Sequence, residues 1–323
     1  MLYVLAPDKW KPFQDSEARM LVASDIRKCV AFLGHGSISD PDFKGTGFIL
    51  ICRGYSWLVT ARHVADDLGK DPFIYRLNSG EPREVDNATW VSHTDPNVDI
   101  SIAALSVKGK SVGHLPEDAM LTEGQRPFYD VDLGNFAYVI GLFRVMPGNK
   151  RNFPVVHTGF IATLPEDELI PVRQPDGSIH KVKGYLVQTS SLDGLSGSPV
   201  FVRRTALLPP QDGIAPVAAG DTALLGVWVA AWNGPPDPTA KIPKGGLVPV
   251  GFGVVVPAER IVETVDEALK KFRKEIEKDT PAASTQSIKG VAVSSPASDE
   301  NPTHLEDFKS LLTEAAKTQQ QGD

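Results

Sequence analysis

The sequence predicts an all-β protein, a barrel or a sandwich, followed by one C-terminal α-helix and a flexible tail. Three observations carry this. Short runs rich in Val, Ile, Phe and Tyr recur from about residue 28 to residue 257, and Gly, Pro, Asn or Asp separate them. The 26 prolines in 323 residues disfavour long helices through most of that stretch. The pattern then changes at Pro257, where Ile261, Val265, Leu269, Phe272 and Ile276 recur about one helical turn apart and share a face.

The strand-like runs begin with KCVAFL, GTGFILICR and YSWLVTA between residues 28 and 62, and Arg53-Gly54 reads as a hairpin turn between two of them. Further runs lie at Glu84–Val91, Val98–Leu105, Ala137–Phe143, Val155–Leu164, Gly184–Thr189, Pro199–Val202, Ala223–Ala231 and Gly251–Val256. The polar stretch Gly109–Tyr129, with Pro116 and Pro127, reads as a connection between two β units. Leu207–Gly220 and Asn233–Val248 are Pro- and Gly-rich inserts. The helix is expected to start after Pro257 and end near Asp279. Residues 280–302 have the Ala/Ser/Pro/Thr composition of a flexible linker. A short amphipathic helix is expected over 303–317, with Thr303 as N-cap and Leu305, Phe308, Leu311 and Leu312 as its apolar face. Alone in water such a helix is marginal, so a protein partner could cover it.

Composition excludes several classes. A net charge of −7 and a pI near 5.6 leave no basic surplus for nucleic acid. No run of 18 apolar residues is present, so no membrane-spanning helix is expected. The N-terminal stretch has no basic flank and is broken by Asp8 and Lys9, so no secretory signal is read there. The two cysteines, Cys29 and Cys52, read as free buried thiols, and a cytoplasmic location is expected. No H-E-x-x-H motif and no paired Cys/His spacing occur, so no metal or cofactor is implied.

The chemistry concentrates in three segments. Gly194-Leu195-Ser196-Gly197-Ser198-Pro199 is a Gly-flanked turn that can expose the Ser196 hydroxyl. Gly194 lets the backbone bend so that its own N–H and that of Ser196 converge as an oxyanion hole. The G-x-S-x-G elbow of another hydrolase class fails here, since the fifth position is Ser198 and strands surround the motif. In Trp57–Val64 an apolar strand ends in His63. His35, His93, His114, His157, His180 and His304 have no comparable context. Asp99 stands just before an apolar run, a costly place for a carboxylate without a partner. A histidine Nδ1–H would satisfy it and fix the tautomer. Asp95, the competing carboxylate, precedes Pro96 in what reads as an exposed turn.

Together these segments resemble the trypsin/chymotrypsin family of serine peptidases, especially bacterial trypsin-like and HtrA-like proteases without a PDZ domain. The resemblance rests on GTGF (45–48), LVTARHV (58–64), VDISIAAL (98–105), the stretch 134–142, LVQTS (186–190), GLSGSPVF (194–201), LLGVWVA (224–230) and GFGVVVP (251–257), in the family's order. It implies two six-stranded antiparallel β-barrels with the active site between them. A first barrel over 27–129 would carry His63 and Asp99, after an N-terminal segment 1–26. A second barrel plus helix over 130–278 would carry Ser196, with the tail at 279–323. It further implies a serine endopeptidase in which Ser196 is the nucleophile, His63 the general base and Asp99 its orienter. Ser190, Val229, Ala230 and Ala231 would line the substrate pocket, and the partner is a protein or peptide substrate. Leu195 and Arg62 depart from the family pattern, and no cysteine follows His63. A trypsin-fold binding or scaffold module with weak or lost catalysis is the alternative.

Overall fold

The computed structural model describes residues 24–78, 82–86, 88–105, 113–165, 169–173, 178–207, 218–234 and 248–279. The expected linker and the 303–317 helix lie outside them.

Two antiparallel sheets form the body of the molecule. The first contains β1 (Val30–Ser37), β2 (Asp40–Cys52), β3 (Tyr55–Thr60), β4 (Phe73–Leu77), β5 (Arg83–Val85), β6 (Trp90–Ser92) and β7 (Ser101–Ala104). Its order is β5-β4-β1-β2-β3-β7-β6. The family resemblance implies six strands closed into a barrel; here seven strands curl into a half-barrel. The edge strands β5 and β6 are three residues long, and among the described residues no ladder joins them. The second sheet is the expected six-stranded closed barrel, running β12 (Tyr185–Gln188), β15 (Val248–Pro257), β14 (Ala218–Gly234), β13 (Pro199–Leu207), β8 (Phe136–Gly141) and β9 (Val155–Thr163). The two together make a chymotrypsin-like two-barrel fold. A separate hairpin, β10 (Ile170–Arg173) with β11 (Ile179–Val182), stands beside the barrel.

Both supposed inserts begin and end inside strands. β13 pairs with β14 out to Leu207↔Ala218, and β14 with β15 out to Gly234↔Val248. Small and Gly-rich segments continue the ladders past the apolar core, which hydrophobicity alone could not reveal.

The β2–β3 turn at Arg53-Gly54 has φ of 54° and 78°, the two positive values that a type I′ hairpin turn requires. Arg53 sits in this disfavoured conformation while its guanidinium bonds Glu117 Oε1 at 2.6 Å and Asp266 at 2.9 and 3.1 Å. It thereby ties the turn to the connecting segment and to the C-terminal helix. That segment forms single parallel bridges, Leu50↔Leu115 on the first sheet and Met120↔Leu224 on the second, with Leu115, Met120 and Leu121 buried.

Two short helices, α1 (Ser24–Lys28) and α2 (Arg62–Leu68), precede the C-terminal helix α3, which spans Glu259–Asp279, as its periodicity predicts. Ile261, Val265, Leu269 and Phe272 are buried in the larger hydrophobic core, to which strands of both sheets contribute, each worth roughly 1.5–3 kcal/mol of burial. Glu259 in the first turn complements the helix dipole. The opposite side of the same helix carries Glu263, Asp266 and Glu267. Cys29 and Cys52 are free and buried. Among the described residues no helix is long and apolar enough to cross a membrane.

Candidate active site

His63 enters through a short helix. β3 stops at Thr60, Ala61 is extended, and α2 (Arg62–Leu68) follows, so His63 lies in a first helical turn rather than at the strand end. Val64, Ala65 and Leu68 bury the other side of α2. His63 is thus held at the cleft edge with its side chain 44% exposed.

Asp99 precedes β7 between buried Val98 and Ile100. Its Oδ2 lies 2.7 Å from His63 Nδ1, and its Oδ1 accepts the His63 backbone N–H at 3.0 Å. One carboxylate thus fixes both the ring and the main chain of the histidine. Burial pulls the His63 pKa down. The Asp99 hydrogen bond and charge, helped by Asp66 and Asp67, outweigh it and hold the pKa above the ordinary histidine value. Asp95 does something else: its Oδ1 accepts the Asn97 N–H at 2.8 Å and the Asn97 side chain at 3.1 Å. The competing carboxylate is committed to its own turn.

Ser196 sits between β12 and β13. Gly194 has φ +100° and Gly197 φ +84°, a region that disfavours side chains. At Gly197 a Cβ would also fall 1.9 Å from the Thr46 carbonyl oxygen. Glycine is needed there because a first-sheet strand crosses the turn.

Thr46, from the GTGF segment, is fully buried and holds the turn. Its N–H donates to the Ser196 carbonyl at 2.9 Å, and its hydroxyl donates to the Gly194 carbonyl at 2.7 Å. That hydroxyl also accepts the Leu142 N–H at 2.9 Å. Leu195, where the family pattern differs, is 1% exposed inside the second barrel's core. Arg144 adds an ion pair to Asp193 at 2.9 Å. Among the described residues, the N–H groups of Gly194 and Ser196 donate to no protein acceptor. His63 Nε2 and Ser196 Oγ likewise have no protein partner there. The Ser196 carbonyl and the Val64 side chain approach the same point off Gly45, at 3.2 and 2.9 Å. The nucleophile turn therefore adjoins the helix that bears His63.

A cavity of about 410 Å³ opens beside His63 and Asp99. Its far wall is Val172, His180 and Val182 of the β10–β11 hairpin with Val229 and Ala230 of β14. Two of the four expected pocket residues thus face the histidine. Ser190 and Ala231 are not in that lining. Ser190 is exposed, with its Oγ 3.2 Å from His157 Nδ1, and burial pushes the His157 pKa down. Sequence reasoning set aside His93, His157 and His180 for want of context. Of these, only His180 lines the cavity; His93 reaches Glu263 across 170 residues, and His157 reaches Ser190 across 33.

Residues 45–208, half the chain, match the family described as the trypsin-like peptidase domain, and the protein belongs to that family. Among solved structures, it is similar to the Rv3671c protease from M. tuberculosis in its active form. The TM-score is 0.44 at 17% identity, covering 82% of this chain and 93% of that one. The inactive form of the Rv3671c protease gives 0.41 at 19% identity, covering 75% and 89%. The inactive-form Ser343Ala mutant gives 0.39 at 16% identity, covering 80% and 90%. No curated protein matches this chain.

Proposed function

We propose that this protein is a serine endopeptidase that works through a His63–Asp99–Ser196 triad and an acyl-enzyme. The carrying observation is the double contact of Asp99 with His63, on Nδ1 at 2.7 Å and on the backbone N–H at 3.0 Å. With Nδ1–H donated to Asp99, Nε2 is the basic nitrogen. Ser196 Oγ attacks the scissile carbonyl carbon as Nε2 takes its proton. The oxyanion is held by the unpaired N–H groups of Gly194 and Ser196. Protonated His63 then gives that proton to the leaving amine as the C–N bond breaks. A water molecule, activated by the same nitrogen, hydrolyses the ester and restores Ser196.

In the secreted members of the family, an acid before the nucleophile pairs with a freshly cut N-terminal amine. Leu195 cannot make that pair. Its burial, the Thr46 bonds and the Arg144–Asp193 pair order the turn instead, so the chain should react without N-terminal processing. A fluorophosphonate probe tests the reading. The parent is expected to label at Ser196 by peptide mapping, and Ser196→Ala to lose labelling. Labelling that survives in Ser196→Ala refutes the assignment. A parent that does not label favours a non-catalytic binding module on the same fold.

A further inference from the structure

The segment that delivers Asp99 is held by side chains from outside the triad. From one side comes Arg62, the residue before the general base. Its guanidinium donates to the His93 carbonyl and, at 3.0 Å, to the Asp95 carbonyl. Arg62 Nε is buried without a partner, so the arginine occupies this place at a desolvation cost. From the other side comes α3. Glu263 Oε2 lies 3.0 Å from His93 Nε2. Glu267 accepts the Thr94 hydroxyl at 2.7 Å and the Thr94 N–H at 3.2 Å. His93 joins the two grips. Its ring is buried, and its Nδ1 accepts the Asp95 N–H at 3.0 Å. That bond fixes the tautomer, so Nε2–H donates to Glu263. Four residues beyond Asp95 the chain reaches Asp99.

We propose that Arg62, His93 and Glu263 are positioning residues that set Asp99 against His63, which makes the C-terminal helix part of the catalytic apparatus. This rests on the triad reading above. Arg62 is where the sequence departs from the small residue usual before the histidine, and the bracket gives that departure a task. His93 and Glu263 stand outside the lining of the cavity beside His63, and Arg62, which does line it, turns its guanidinium to the His93 and Asp95 carbonyls. All three act through Asp99, which must hold the imidazole to within a fraction of an ångström. A misplacement of about 1 Å in such a group can cost about a hundredfold in rate.

The test measures the second-order rate constant of fluorophosphonate labelling against pH in the full chain. Glu263→Ala, with a thermal midpoint recorded alongside, should slow labelling about tenfold or more. It should also move the acid limb to lower pH, because the Asp99 contact is what lifts the His63 pKa. Glu263→Gln, whose amide oxygen can still accept from His93, should restore most of the rate. In an Asp99→Asn background, Glu263→Ala should change the rate by less than about twofold, the signature of two residues acting as one unit. Arg62→Ala reaches the same loop from the other side and should repeat the pattern if Glu263→Ala folds poorly. Parental labelling by a folded Glu263→Ala overturns the inference alone. So does an equal loss in the Asp99→Asn background. A parent that fails to label at Ser196 overturns the triad and the bracket together.

Discussion

Replacing Thr46 with valine removes one hydroxyl without opening a cavity, since the two side chains have the same shape. In the parent that hydroxyl is the donor to the Gly194 carbonyl and the acceptor of the Leu142 N–H, at 2.7 and 2.9 Å, in a residue with no solvent exposure. Each buried backbone group left without a partner costs about 1–3 kcal/mol, so the pair amounts to about 2–6 kcal/mol if the turn stays in place. The turn can escape part of this by shifting, and a shifted Gly194 no longer aims its N–H at the oxyanion. Thr46→Val should therefore lose stability, labelling rate, or both, with a combined deficit of at least about 2 kcal/mol on the same estimate. Denaturant unfolding gives the first part, and fluorophosphonate labelling of the folded fraction gives the second. Thr46→Ser keeps the hydroxyl and should stay near parental on both. A Thr46→Val protein that unfolds within about 0.5 kcal/mol of the parent and labels at its rate would refute the reasoning, since that is the scatter of an inert surface substitution.

Further predictions concern charge, burial and the cleft. The folded His63 pKa is raised above its unfolded value, so its contribution to stability is complete below about pH 6.5 and is lost as pH rises through the folded value. Stability should thus fall over the pH range in which labelling rises. Denaturant midpoints across that range check this, and Asp99→Asn should flatten the trend. Leu195→Asp would bury a carboxylate among Leu121, Val131, Val139 and Val200. It should destabilise the fold by roughly 3 kcal/mol or more in denaturant unfolding and stop labelling. A stable, reactive variant would mean that a cation reaches that site. The wall formed by Val172, Val182, Val229 and Ala230 should favour apolar side chains before the cut, and a peptide-library profile dominated by Arg or Lys would contradict it.

What was legible in the sequence was whatever is local in the chain. The Gly194–Pro199 turn, the apolar run into His63 and the Asp99 carboxylate within VDISIAAL each announce themselves within a few residues. α3 shows in a period that spans only its own length. The rest depends on contacts across long separations. Glu263 meets His93 across 170 residues and Arg53 meets Asp266 across 213. No window of sequence holds both partners. Thr46 looked like one residue of a short motif, and its hold on Gly194 and Ser196 appears only when β2 crosses the turn. The open first sheet was also hidden, because three-residue edge strands give almost no periodicity. Two signals pointed the right way, the unexpected Arg62 and Leu195. Arg62 is bonded to the His93 and Asp95 carbonyls, and Leu195 is buried in the second barrel.

The seam between the two sheets has a bearing on what such a site can accept. Thr46 stitches β2 to the nucleophile turn, and Leu115 and Met120 lace the connecting segment to one sheet and then the other. Spreading the halves apart would strand several buried amides at once, so these contacts oppose any opening of the two sheets. On the proposed endopeptidase reading, a polypeptide would have to arrive already extended to reach the triad. For an intact protein target, the rate of cutting would then follow how often a stretch of the target's own chain comes loose.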